Sequence, residues 1–106
     1  MRKKEKRILA EKALLSRVYD LIIDKQTFDD ERDKLIEFKN AVENGKDFER
    51  EVMYLAEDLR KLSLLKFKNK KNLSPEVGKF YMDISSTGFL KKQFGTGMVA
   101  ISFLAK

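Results

Sequence analysis

The chain has 106 residues, a formal net charge of +6, and neither cysteine nor histidine. Disulfides, thiol or imidazole catalysis and His/Cys metal sites are thereby excluded, and the length suits a single domain, 1–106, with one core. The basic amino terminus is not followed by an apolar signal-peptide core, since Glu11, Lys12, Arg17 and Asp20 interrupt it, and no apolar run approaches the roughly 20 residues that span a bilayer. The expected location is cytoplasmic.

Helical periodicity predicts four helices, at about 3–24, 28–44, 47–68 and 75–87. In the first, Ile8, Leu14, Leu15, Val18, Leu21 and Ile22 form a wide apolar stripe. Thr27 is the expected N-cap of the second, and the acidic run Asp29–Glu31 suits the positive end of its dipole. Leu35, Phe38 and Val42 give that helix its core face, and Asn44-Gly45 ends it. The third has the clearest pattern: Phe48, Val52, Leu55, Leu59 and Leu62 alternate spacings of four and three behind an Asp47 cap.

The fourth helix is sharply punctuated. Ser74 is the expected cap, Pro75 pre-sets φ at the first helical position, and Glu76 faces the dipole. Gly88 is suited to the left-handed position after its end. Val77, Phe80, Tyr81 and Ile84 fall on one face at i, i+3, i+4 and i+7. No segment alternates with period two. Short links near 25–28, 45–46 and 69–73 make successive helices antiparallel neighbours. The expected fold is therefore all-α, an up-down-up-down four-helix bundle with a short apolar C-terminal tail at 89–106.

The charge is unevenly spread. After Asp58 the only acids are Glu76 and Asp83, against a long series of lysines that includes Lys68, Lys70 and Lys71 in the third link. Such a run is either a solvated face or a surface for an anionic partner: phosphates, inner-leaflet lipid or an acidic protein loop.

A search for chemistry yields no catalytic, cofactor or metal residues. Asp29-Asp30-Glu31-Arg32-Asp33 lacks the spacing and glycine of a calcium loop, and Gly95-Thr96-Gly97 lacks the Lys-Ser/Thr of a phosphate loop. Ser85, Ser86 and Thr87 have no candidate base. Binding is the expected activity.

Two features could carry it. Aromatic and basic residues interleave at Lys66-Phe67-Lys68, Lys79-Phe80-Tyr81 and Lys91-Lys92-Gln93-Phe94, a pattern that can serve nucleic acid, but Phe80 and Tyr81 fall on the core stripe and no helix joins a dense basic face to residues suited to base edges. The tail is the second. Burying Met98, Val99, Ile101, Phe103 and Leu104 would contribute roughly 1.5–3 kcal/mol each, against a backbone ordering cost of about 1–2 kcal/mol per residue, so docking is nearly balanced.

The charged first helix, the three-four spacing of the third, the segment Leu64-Leu65-Lys66-Phe67-Lys68-Asn69-Lys70-Lys71-Asn72-Leu73-Ser74-Pro75-Glu76 and the helix Phe80-Tyr81-Met82-Asp83-Ile84-Ser85 resemble the enterocin A-type bacteriocin immunity proteins. The resemblance spans most of the chain and is strongest from Leu62 to Gly88. It implies an antiparallel four-helix bundle without enzymatic activity or cofactor. It also implies protection from a class IIa, pediocin-like bacteriocin at the cytoplasmic side of the mannose phosphotransferase permease that the peptide has engaged. In such proteins the C-terminal part decides which peptide is countered. Carried onto this chain, that points to Lys91, Lys92, Phe94, Met98, Ile101 and Phe103 as contacts, with Lys68, Lys70 and Lys71 at the end of the bundle. Peripheral contact with the inner membrane leaflet is compatible with this reading. The alternative is a small basic helical nucleic-acid-binding or regulatory protein.

Overall fold

The computed structural model describes residues 3–86. Four helices follow one another: α1 (Lys3–Ile23), α2 (Asp29–Glu43), α3 (Phe48–Lys68) and α4 (Pro75–Ser85), with no strand among the described residues. The expected helices all form, with ends displaced by a residue or two. The predicted tail at 89–106 and Gly88 lie outside the described residues.

Each helix contributes its apolar stripe to one shared core. Leu14, Val18 and Leu21 come from α1, and Leu35 and Phe38 from α2. Val52, Leu55, Ala56 and Leu59 come from α3, and Val77, Phe80 and Ile84 from α4. Phe48, Leu62, Val42 and Tyr81 pack partly buried around them, and the Phe38 and Phe48 rings meet edge-on at 5.5 Å. The predicted seams of α2, α3 and α4 are thus the packed ones. In α1 the stripe is narrower than its apolar content suggests: Leu15 and Ile22 are half-buried, and Ile8 is exposed. Ile8 lies more than one and a half turns before Leu14, the first buried residue of α1.

α2 packs against α1 and α3, and α3 against α4. The α1–α4 side is closed by Arg17. Its guanidinium pairs with Asp83 at 2.8 Å and lies 5.2 Å from the centre of the Phe80 ring, so a cation covers the edge of the core. Nearer the N-terminus of α1, Arg7 bonds Glu49 of α3 at 2.8 Å.

Two expected caps are corrected. Thr27 does not cap α2; the N-cap is Phe28, one residue on. The buried Thr27 hydroxyl instead donates to the Leu21 carbonyl at 2.7 Å and ties off the end of α1. Ser74 occupies the N-cap position of α4 ahead of Pro75, but its side chain accepts no bond from that helix. The hydroxyl donates elsewhere, to Glu31. Asp47 caps α3 as expected, accepting from the Arg50 N–H at 3.0 Å.

Candidate functional site

The starts of α2 and α4 and the end of α3 converge on one carboxylate. Glu31 is fully buried at the third position of α2, where a carboxylate can reach back to the N-cap. Its Oε1 accepts from the Phe28 N–H at 3.1 Å and from the Ser74 hydroxyl at 2.7 Å. Its Oε2 accepts from the Ser74 N–H at 2.9 Å and faces Lys66 Nζ at 3.4 Å. One side chain therefore satisfies the free N–H groups opening two helices and neutralises a lysine on a third. Among the described residues no buried side-chain polar atom lacks a hydrogen bond.

Lys66 extends the junction outward. It also pairs with Asp30 at 3.3 Å, and its ammonium sits 4.1 Å from the centroid of the Phe28 ring. That contact holds Phe28, itself exposed, over the mouth of the junction. Beside it, Arg32 binds the loop between α1 and α2. Its guanidinium donates to the carbonyls of Ile22, Asp24 and Thr27 at 2.7–2.9 Å, and pairs with Asp29 at 2.8 Å. The Asp24 carbonyl also accepts from the Thr27 N–H at 3.1 Å, so Arg32 adds a second donor there while it ties down the chain where α1 ends.

The hairpin that follows α3 is set by a Schellman closure. The Lys71 N–H returns to the Lys66 carbonyl at 2.7 Å and the Lys70 N–H to the Phe67 carbonyl at 3.0 Å, with Lys70 left-handed at φ 59°. The end of α2 closes identically: Lys46 returns to Ala41, Gly45 to Val42, and Gly45 has φ 87°. One closure uses the glycine such a position favours; the other keeps a lysine there.

Lys68, Lys70 and Lys71 are brought together by this turn, are exposed, and form no ion pair with any described residue. An open groove of about 850 Å³ runs beside them, lined by Phe28, Asp29, Asp30, Leu65, Lys66, Asn69, Lys71 and Asn72. Above it, the side of α3 turned from the core carries Lys61, Leu64, Leu65 and Lys68, all exposed, at i, i+3, i+4 and i+7. Phe67 is exposed next to them. Sequence reasoning found the three hairpin lysines and missed this apolar stripe, although the seam at Val52, Leu55 and Leu59 already placed positions 61, 64, 65 and 68 opposite the core. The other predicted contacts, Lys91, Lys92, Phe94, Met98, Ile101 and Phe103, lie outside the described residues.

No reactive arrangement accompanies these groups. Glu31 is enclosed and fully occupied by donors, and among the described residues no cluster of three or more acidic side chains could hold a metal ion. The arrangement offers a surface.

The comparisons with known proteins decide the family. The bacteriocin immunity protein family of enterocin A type matches over residues 9–88. The chain belongs to that family. The match covers all of α2, α3 and α4, most of α1, and the Glu31–Ser74–Lys66 junction. No curated protein and no solved structure matches this member of the immunity family. No helix among the described residues of the immunity chain is long and apolar enough to cross a membrane.

Proposed function

We propose that this chain protects a bacterial cell from a class IIa bacteriocin by non-catalytic binding at the cytoplasmic side of the mannose phosphotransferase permease once the peptide has engaged it. The observation that carries this reading is the family match across residues 9–88. The chain works as one cytoplasmic domain, 1–106, in which the helices run up-down-up-down with antiparallel neighbours. The short links at 24–28, 44–47 and 69–74 support that order. The exposed hairpin lysines, which form no ion pair among the described residues, support an anionic or membrane-proximal partner.

Specificity lies with the C-terminal segment, where Lys91, Lys92, Phe94, Met98, Ile101 and Phe103 are the contact residues. The test is expression in a bacteriocin-sensitive strain followed by challenge with a panel of class IIa peptides. Survival against at least one peptide is expected, as is loss of survival when Gly97–Lys106 is removed. A chain expressed at full level that rescues no cell from any peptide would sink the reading.

A further inference from the structure

Helix α3 is apolar on two sides. Its inner seam, Val52, Leu55, Ala56 and Leu59, is explained by the core. Its outer stripe is not. Leu64, Leu65 and Phe67 are 54%, 58% and 75% exposed, and nothing in the described chain covers them.

Along this stretch of the sequence the charges are of one sign, while Asp29 and Asp30 of α2 line the groove beside Leu65. From Arg60 to Pro75 the sequence holds six cations and no acid. Arg60 is taken up by Glu57, and Lys66 by Asp30 and Glu31. Lys61, Lys68, Lys70 and Lys71 make no ion pair with any described residue. Lys61 and Lys68 bracket Leu64 and Leu65 along the helix, and Lys70 and Lys71 continue the same edge into the hairpin. A helix face on which Leu64 and Leu65 sit between a lysine one turn before and a lysine one turn after, with Phe67 on the flank beside Leu64, suits an anionic bilayer surface. The apolar side chains enter the headgroup boundary while the lysines extend their stems and keep their charges among the phosphates. Nucleic acid is a poorer fit, because leucines present no stacking surface and lysines do not read base edges in paired fashion. The left-handed Lys70 points the same way: the chain keeps a cation where glycine would be less strained.

We infer that the outward face of the last two turns of α3, with the following hairpin, is a contact surface for anionic phospholipid. Leu64 and Leu65 enter the interface, with Phe67 at its flank, and Lys61, Lys68, Lys70 and Lys71 pair with headgroup phosphates. The inference deepens the proposed function and rests on its placing the chain at the cytoplasmic face of a membrane, but it concerns lipid alone.

Vesicles containing no protein therefore test it separately from protection. The full chain is sedimented with phosphatidylcholine vesicles and with vesicles of phosphatidylcholine and phosphatidylglycerol, at low and high salt. Binding is expected only with phosphatidylglycerol and should weaken with salt. Replacing Lys68, Lys70 and Lys71 together by Gln should weaken it on the order of 100-fold, about fivefold per lysine. Leu64→Gln with Leu65→Gln should weaken it by roughly tenfold or more while thermal unfolding still shows a folded helical protein. Replacing Lys4, Lys12 and Lys46, exposed lysines elsewhere, removes the same net charge and should have a much smaller effect. The inference is overturned if both vesicle types bind equally or not at all, if the leucine variant binds like the parent, or if the control triple loses as much as the hairpin triple. A failure of protection with vesicle binding intact would count against the permease reading and leave the lipid surface standing.

Discussion

Glu31 and Ser74, 43 positions apart, share two hydrogen bonds: the Ser74 hydroxyl donates at 2.7 Å and its N–H at 2.9 Å, both to the same buried carboxylate. The start of α4 is thereby capped by a residue of α2, and Ser74 is freed from capping its own helix. A carboxylate is affordable in this position because every lone pair faces a donor and Lys66 offsets its charge. Glu31→Ala should destabilise the protein by about 3–5 kcal/mol, since it strands the buried Ser74 N–H and the part-buried Phe28 N–H and leaves Lys66 with Asp30 alone. Ser74→Ala removes one charge-assisted bond and should cost about 1.5–3 kcal/mol. Urea unfolding monitored by circular dichroism measures both; a Glu31→Ala loss under about 1 kcal/mol would show the junction to be dispensable.

The two Schellman closures predict opposite effects of reciprocal substitutions. A Cβ added at Gly45 would meet nothing within 4 Å, so Gly45→Ala should destabilise only through the left-handed backbone, by about 1–2 kcal/mol. Lys70→Gly relieves the same strain at the other helix end and should stabilise by about 0.5–1 kcal/mol, after allowance for the entropy glycine adds to the unfolded chain. If protection also falls in Lys70→Gly while stability rises, the lysine is retained for its charge. Chemical unfolding of both variants, beside the survival assay, decides the matter.

Leu55 and Leu59 are almost completely buried at the centre of the α3 seam. Truncating either to alanine removes apolar surface and leaves a cavity, at a cost of about 2–5 kcal/mol. Leu64→Ala and Leu65→Ala, on the opposite side of the same helix, should change stability by less than about 0.5 kcal/mol. Equal losses on both sides would mean that the outer stripe is core in the full chain.

The Tyr19 hydroxyl donates to the Glu43 carboxylate. This hydrogen bond, then a little burial and the carboxylate's charge, raise the phenol above its ordinary value. Because the folded pKa lies above the unfolded one, the bond's stabilising contribution is complete below about pH 10 and fades as the pH climbs through the folded value. In Glu43→Gln, Tyr19 should titrate at lower pH than in the parent. Ring-proton chemical shifts followed by NMR report this directly, and an unchanged midpoint would show that the bond does not form in solution.

The sequence by itself determined the helices and their inward faces. Val52, Leu55 and Leu59, or Val77, Phe80 and Ile84, fall on one side of a helix because the 3.6-residue turn is fixed by local backbone geometry, and Asp47 and Gly45 act within four residues of their own positions. The hairpin lysines were legible for the same reason: they are contiguous, and no acid is near them in the chain. Tertiary structure alone decided what Thr27, Glu31 and Ser74 do. Thr27 and Ser74 each have a plausible local role, yet the partner that wins lies on another element, while Glu31 keeps its local bond to the Phe28 N–H and adds Ser74 and Lys66. Thr27 turns back to α1, and Ser74 turns to a carboxylate 43 residues away, because an orphan group buried where helix ends meet outweighs a bond that water could replace. Whether Ile8 packs or faces solvent, and whether Leu64 and Leu65 are covered, was likewise settled by where the neighbouring helices lie, which no local spacing specifies.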